Sequence, residues 1–370
     1  MVRRLWSVVA CGTSGHPSAE SVEQRGGLAA RGLVGRLSCA SPAPRAEPAA
    51  FSMPSSVLVV GTVAFDTIET PFGRAERVLG GSATYASLAA RLLTPKVRIS
   101  AVVGGDFPDA HIQALRQRGV DLDGLVRDPE GETFFWAGRY HHDLNHRDTL
   151  ATHLNVLATF EPVLPESYRD TDILCLGNLD PTVQMAVLDQ VSGPDGNGPG
   201  LVVMDTMNYW IENTPDALAA ILERVDVLVI NDAEARELAE TPNLVRAARE
   251  IRQRGPQTLV IKKGEHGALL FTGDLDAPVI FSAPAYPLED VTDPTGAGDV
   301  FMGGFAGHLA RVQDRDEAAF REAIVMGSAM ASHAVEAFGP ERMLSLTEKD
   351  VQARVEAFHA LSAIPARLVA

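Results

Sequence analysis

The sequence predicts a three-layer α/β/α fold with a mainly parallel central sheet and a small β lid. Three observations carry this: short, wholly apolar, β-branched runs recur along the chain, helical stretches separate them, and two segments of alternating polar and apolar residues break the order. The first run, Val57-Leu-Val-Val-Gly61, is stopped by glycine and has the form of a strand covered on both faces. Residues 97–103, 172–176, 201–204, 225–230 and 259–261 repeat it, with helical stretches at 83–93, 110–118, 182–191, 215–223, 233–239 and 244–254. Strand alternating with helix places a parallel sheet between two helical layers. After Lys262 come two short strands, a long helix over 298–311 and further helices to the C-terminus. No internal repeat is present.

The two exceptions are residues 67–79 and 133–142, the latter reading TFFWAGRYHH. Their alternation suits half-exposed antiparallel strands, expected to stand beside the main sheet as a lid; ordinary surface hairpins are the plainer alternative.

Of 370 residues, 46 % are hydrophobic and 22 % charged, enough for a sizeable core. Collagen, low-complexity disorder and a multi-span membrane protein are excluded, since no apolar run reaches the roughly 18 residues a membrane helix needs. A formal charge of −16 without a basic patch argues against nucleic acid and anionic lipid as partners. Cys11, Cys39 and Cys175 are too few and too scattered for a disulfide framework or a zinc site, which fits a cytoplasmic protein.

Residues 1–52 read differently, with six Arg, no Lys, three Glu and no apolar periodicity. They are expected to lie outside the fold, as a disordered leader, a transit-type peptide or the product of a start assigned upstream of Met53, leaving 53–370 as one domain. Without their net charge of +3 the body carries −19.

Chemistry concentrates in Asp293-Pro-Thr-Gly-Ala-Gly-Asp299. Gly296, Ala297 and Gly298 are small enough for a turn whose N–H groups point outward, and they open onto a helix whose unpaired N–H groups and dipole attract an anion. Asp299 then falls in the first helical turn, placed to accept a proton from a hydroxyl attacking a phosphorus held over the glycines. The helix dipole is expected to keep it ionised. A plain helix cap after a glycine turn is the alternative for a bare GxGD.

The longer run D-P-T-G-A-G-D-x-F-x-x-G-F resembles the C-terminal signature of the PfkB carbohydrate kinases, the ribokinase-like family, and the likeness extends from about Val57 to about Leu346. It implies a ribokinase-like fold and an ATP-dependent transfer of the γ-phosphoryl group to a hydroxyl of a sugar or sugar-like acceptor. It also implies that Asp299 is the catalytic base and that the backbone of Gly296, Ala297 and Gly298 is the anion hole. Asn231-Asp-Ala-Glu234 resembles the family's N-x-x-E motif, where the Glu organises Mg²⁺ largely through water; a helix N-cap with its capping box would look the same. Lys262, Gly264 and Gly267 match the strand end and turn over the nucleotide, and 328–339 matches the segment that shapes the adenine pocket. Asp293 and Thr295 match positions that hold a monovalent cation in some members, which implies K⁺.

On the acceptor side, Asp66 and the pair Gly80-Gly81 match family positions that bind sugar hydroxyls, and a carboxylate accepting two such bonds suits a polyol. The sequence departs from the pattern at Tyr85, where many members carry a sugar-binding Asn, and at Pro108-Asp109, after a stretch that keeps Gly104 and Asp106. Asp106 is assigned to the acceptor. Asp205 and Asn208 follow a buried strand at the edge where ligands of open sheets lie, so both are pocket candidates; a loop turn with a half-buried Trp210 is the alternative. A nucleoside kinase of the same fold is the nearest rival, its base stacking on Phe134, Phe135, Trp136 or Tyr140; a catalytically silent metabolite binder is the second. A homodimer through the lid strands is expected. The cluster of His141, His142, His146 and His153 lacks metal-ligand spacing.

Overall fold

The structure, a computed structural model, describes residues 55–363; the expected leader over 1–52, Met53, Cys11 and Cys39 lie outside them. In chain order the strands are β1 (Val57–Val60), β2 (Ala64–Thr70), β3 (Gly73–Gly80), β4 (Val97–Gly104), β5 (Asp121–Asp128), β6 (Phe135–Tyr140), β7 (Arg147–His153), β8 (Ile173–Leu176), β9 (Leu201–Met204), β10 (Val227–Asn231), β11 (Thr258–Lys262), β12 (Ala268–Gly273) and β13 (Pro278–Ala283). The helices are α1 (Ser82–Arg91), α2 (Asp109–Gln117), α3 (Pro181–Leu188), α4 (Asn208–Asn213), α5 (Pro215–Leu222), α6 (Asp232–Leu238), α7 (Leu244–Arg252), α8 (Ala297–Val312), α9 (Glu317–Ala334), α10 (Glu341–Ser345) and α11 (Glu348–Ser362).

Nine strands form one sheet in the order β13-β12-β11-β10-β9-β8-β1-β4-β5, parallel from β11 to β5 and antiparallel through β12 and β13. Alternate residues of β1 supply opposite cores: Val57 and Val59 join the layer of α1, α8 and α9, while Leu58 and Val60 join that of α3, α5, α6 and α7. Burial on both faces is why these strands read as unbroken apolar runs. Helices α1 and α8 approach closely because their facing sides are small. A Cβ on Gly303 would stand 2.1 Å from the Ala86 carbonyl oxygen, and one on Gly307 2.9 Å from the Ala90 Cα.

A four-stranded sheet, ordered β3-β2-β6-β7, accompanies the large one. The first alternating segment is a hairpin, β2 and β3 turning at Pro71-Phe72, and β2 pairs with β6 in parallel rather than antiparallel. Strands β5 and β7 had no counterpart in the sequence reading. Both are edge strands, with exposed polar residues in place of an apolar run, and β5 buries only Leu122 and Gly124.

Candidate active site

The loop before α8 is built by Asp293, which is 1 % exposed. Its Oδ1 accepts the Thr295 N–H at 2.9 Å and its Oδ2 the Gly339 N–H at 2.9 Å, while the N–H groups of Thr292 and Asp293 donate to the Val335 carbonyl. The loop is thereby fastened to the turn that follows α9. Gly296 then takes φ 76°, in the left-handed region, and a Cβ there would stand 2.5 Å from the Tyr85 ring, so backbone and space both demand glycine. Helix α8 starts at Ala297 with no side chain capping its first turn, which leaves the amino end of a sixteen-residue helix without a side-chain partner. Above it, Lys262 Nζ lies 3.0 Å from where a Cβ on Gly298 would stand. Asp205, at the end of β9, holds that ammonium through Oδ2 at 3.1 Å, with the two side chains only 17 % and 9 % exposed.

Asp299, third in α8, has a carboxyl pushed up to about 7. Burial is the main cause and repulsion from Asp205 the second, with Lys262 and Arg147 pulling the other way. The expectation that the helix dipole holds it fully ionised is corrected here: desolvation by surrounding protein outweighs the dipole. Glu234 is likewise raised to about 7, by burial and then Asp205, and Lys262 again opposes. Glu234 and Asn231 form a true capping box on α6: Asn231 Oδ1 accepts the Glu234 N–H and Glu234 Oε2 accepts the Asn231 N–H, both at 2.8 Å. The cap aims Glu234 inward beside Lys262 instead of outward to water, so the capping and functional readings are compatible. Gly264, with φ 54°, turns the chain after β11, and the β6–β7 loop reaches it: a Cβ there would meet Asn145 Oδ1 at 2.6 Å, and Asn145 Nδ2 donates to Glu265 at 3.4 Å. Gly267 accepts the Lys263 N–H at 2.7 Å and closes that turn.

Asp66 on β2 is 5 % exposed. Its carboxyl is pushed up to about 7, chiefly by burial, the Gly81 N–H opposing and Asp293 and Asp299 adding to the rise. It lies so close to Gly80 that a Cβ there would be 2.0 Å from Oδ2, and Gly81, at φ 91°, opens α1. Thr62 and Ser82 lock this corner by exchanging backbone N–H and hydroxyl bonds at 2.9 and 3.0 Å. Electrostatic repulsion links Asp66 to Asp293 and to Asp299, and all three act on Tyr85.

Two assigned residues stand apart. Asp106 accepts the Thr133 N–H at 2.8 Å and its hydroxyl at 2.7 Å, and pairs with Arg77 at 3.1 Å, so protein already occupies its oxygens. Asn208 is exposed at the first position of α4, outside the buried carboxylate group. Sequence reasoning placed Asp205 only among pocket candidates and gave Arg147 no part; the former was signalled by its position after a buried strand, the latter by nothing local. Tyr140, considered for stacking a base, is instead buried and receives the Thr295 hydroxyl at 3.1 Å. Among the described residues, no group of three or more His, Cys, Asp and Glu is set to hold a metal ion directly. A cleft of about 450 Å³, lined by Leu201, Val227, Thr258 and Arg315 among others, lies at the amino ends of the strands, away from this chemistry.

Residues 55–346 match the pfkB family carbohydrate kinase domain. The chain belongs to the PfkB family. Among relatives of this PfkB kinase, the cytidine kinase of Thermococcus kodakarensis is 29 % identical over 267 residues, 70 % of this chain and 91 % of that protein. The 1-phosphofructokinase of Haloferax volcanii is 27 % identical over 265 residues, 69 % of this chain and 79 % of that protein. The structure of Burkholderia thailandensis nucleoside kinase in complex with inosine superposes with a TM-score of 0.67 at 21 % identity, covering 82 % of this chain and 99 % of that one, and shows the ribokinase-like fold.

Proposed function

We propose that this PfkB kinase transfers the γ-phosphoryl group of ATP to a primary hydroxyl of a ribosyl or related polyol acceptor, with Asp299 as the base. The observation that carries the reading is Asp299 itself, a crowded carboxylate near pKa 7 in the first turn of a helix whose amino end is uncapped and overlooked by a lysine. A base poised near neutral pH can both hold and release a proton during turnover.

The residues fit a nucleoside triphosphate with Mg²⁺. The amino end of α8 and Lys262 supply positive potential for the phosphates, the missing side chain of Gly298 lets Lys262 stand over the start of α8, and Glu234 lies beside Lys262. Glu234 would help to hold Mg²⁺, largely through water, and the ion would neutralise phosphate charge. Asp66 and the Gly80-Gly81 backbone accept and orient the acceptor's hydroxyls, Asp299 takes the proton of the attacking one, and the Gly296-Ala297-Gly298 start of α8, without a side-chain cap, serves the oxygens that gain charge. The small sheet acts as a lid. Tyr140 ties it to Thr295, and Asn145 reaches the nucleotide-side turn, so water is excluded as a rival acceptor. A monovalent cation at the Asp293 loop, tested by comparing rates in K⁺ and Na⁺ buffers, belongs to this reading. So does a second copy at the exposed Phe72 and Leu150 of the small sheet, tested by light scattering.

A nucleoside acceptor is the first choice, supported by the cytidine kinase and nucleoside kinase relatives and by the half-buried Phe134, Phe135 and Trp136 on β6 and its approach. A free or phosphorylated sugar is the second reading, supported by Asp66 with its glycine pair and by the phosphofructokinase relative. A coupled ADP-release assay over nucleosides, pentoses, hexoses and sugar phosphates decides between them. Turnover of none, with ATP still bound, would overturn the kinase mechanism in favour of a silent binder.

A further inference from the structure

The loop before α8 leans on a turn that has no regular structure of its own. Residues 335–339 follow α9. The Val335 carbonyl accepts the Thr292 and Asp293 N–H groups at 2.8 and 3.3 Å, and the Glu336 carbonyl accepts the Thr292 hydroxyl at 3.1 Å. Gly339 returns a bond from its N–H to Asp293 at 2.9 Å. The same turn touches the small sheet, since a Cβ on Gly73 would meet the Phe338 ring at 3.2 Å. Anion hole and lid thus share one support, and its position has to be set from elsewhere.

That setting comes from the Glu336 side chain. Its Oε1 accepts Arg354 Nη2 at 2.7 Å and its Oε2 accepts Arg342 Nε at 3.0 Å. Arg342 belongs to α10 and Arg354 to α11, which begins at Glu348, beyond the matched family residues 55–346. Arg354 also donates through Nη1 to the Ser332 hydroxyl at 2.7 Å. Its guanidinium lies over the Tyr286 ring, 4.1 Å from the centroid, on the stretch that leads into Asp293. One arginine therefore grips the anion-hole loop on two sides, through Tyr286 ahead of it and through Glu336 behind it. Arg354 and Glu336 are only 13 % and 27 % exposed at their side chains, so salt screens the pair little. Removing Glu336 would leave two cations sharing a hollow that held one carboxylate.

Resting on the anion-hole placement above, we propose that Glu336 is a positioning residue for phosphoryl transfer: clamped by Arg354 of α11, it sets the turn that holds the Gly296–Gly298 backbone in place for the phosphates. A shift of about 1 Å in such a support, far from the chemistry, costs on the order of 10² in rate.

Glu336→Ala, Arg354→Ala and the double variant are compared with wild type in kcat and in KM for ATP and for the acceptor found in the panel above, and ADP binding is followed by calorimetry. In either single variant kcat is expected to fall about 10- to 100-fold. KM for the acceptor stays within about twofold, because Thr62 and Ser82 lock the Asp66 corner independently. The double variant is no worse than the worse single one, since the two side chains act as a unit. Arg354→Lys, which returns a cation to Glu336, recovers part of the loss. Variants with a lowered Tm but wild-type kcat would make the clamp purely structural, and an equal rise in both KM values would mean general loosening; either overturns the proposal and leaves the kinase reading intact. Should both alanine variants be insoluble, Glu336→Gln and Arg354→Lys decide by the same split. Wild-type protein that turns over no member of the panel, with or without ADP bound, would overturn the kinase mechanism and this proposal with it.

Discussion

Replacing Asp299 by Asn preserves size and helical position while removing the proton acceptor. A positioned base contributes roughly 10²–10⁴ in rate, so kcat should fall by that factor, about 3–5 kcal/mol of barrier. The structure adds a second signature. With the carboxyl near 7 in the ligand-free protein, kcat/KM should decline at least tenfold for each pH unit well below 7, and the limb should be shallower in the variant. Nucleotide affinity should hold or tighten slightly, since a negative charge beside Lys262 disappears while the amino end of α8 is unchanged. Initial rates by coupled assay and nucleotide binding by calorimetry test both halves. Near-normal turnover in Asp299→Asn would reduce the residue to a helix-start carboxylate and send the base elsewhere.

Three further outcomes are expected. Asp66→Ala should raise KM for the acceptor by tenfold or more while leaving KM for ATP within about twofold, because it empties the corner beside Gly80 and Gly81 and leaves Lys262 alone; equal effects on the two constants would remove Asp66 from the acceptor site. Asp66, Glu234 and Asp299 each bind their proton more tightly folded than unfolded, so the ligand-free protein should lose stability as pH rises from about 4 through 7. Calorimetric Tm should therefore be lower at pH 8 than at pH 6, with a shallower slope in Asp299→Asn, and a Tm that rises over this range would contradict the burial argument. Removing residues 1–52 should change neither Tm nor kcat, since the family match begins at residue 55; a truncated protein that is insoluble would place the leader in the fold.

What the sequence disclosed follows from how locally each feature is encoded. The strands that flank β1 in the middle of the large sheet bury both faces, so their apolar runs stand out, and the Gly296–Asp299 turn is four consecutive residues whose sizes dictate its shape. Edge strands β5 and β7 are paired on one side only and carry the polar residues that protect an edge, which hides them. The pairing of Lys262 with Asp205 joins residues 57 apart on separate strands, and no local pattern announces it. The partners of Asp106 are hidden for the same reason, because Arg77 and Thr133, which bond to it, arrive from strand β3 and the approach to β6. The titration of Asp299 was misjudged because a helix dipole can be read along the chain, whereas crowding by distant segments cannot.

The packing of α1 against α8 has a consequence for the transfer distance. Helix α1 begins at the Gly80-Gly81 corner and α8 at the Gly296–Gly298 turn, so in the proposed mechanism the gap between the supports of the two substrates is set by how near these helices lie behind them. Gly303 stands four residues beyond Asp299, roughly 6 Å along the axis, and it sits against Ala86 with no room for even a methyl group. On the proposed mechanism, the spacing for the transfer rests on this seam of glycine on alanine in the hydrophobic interior, which has no room for an added methyl group.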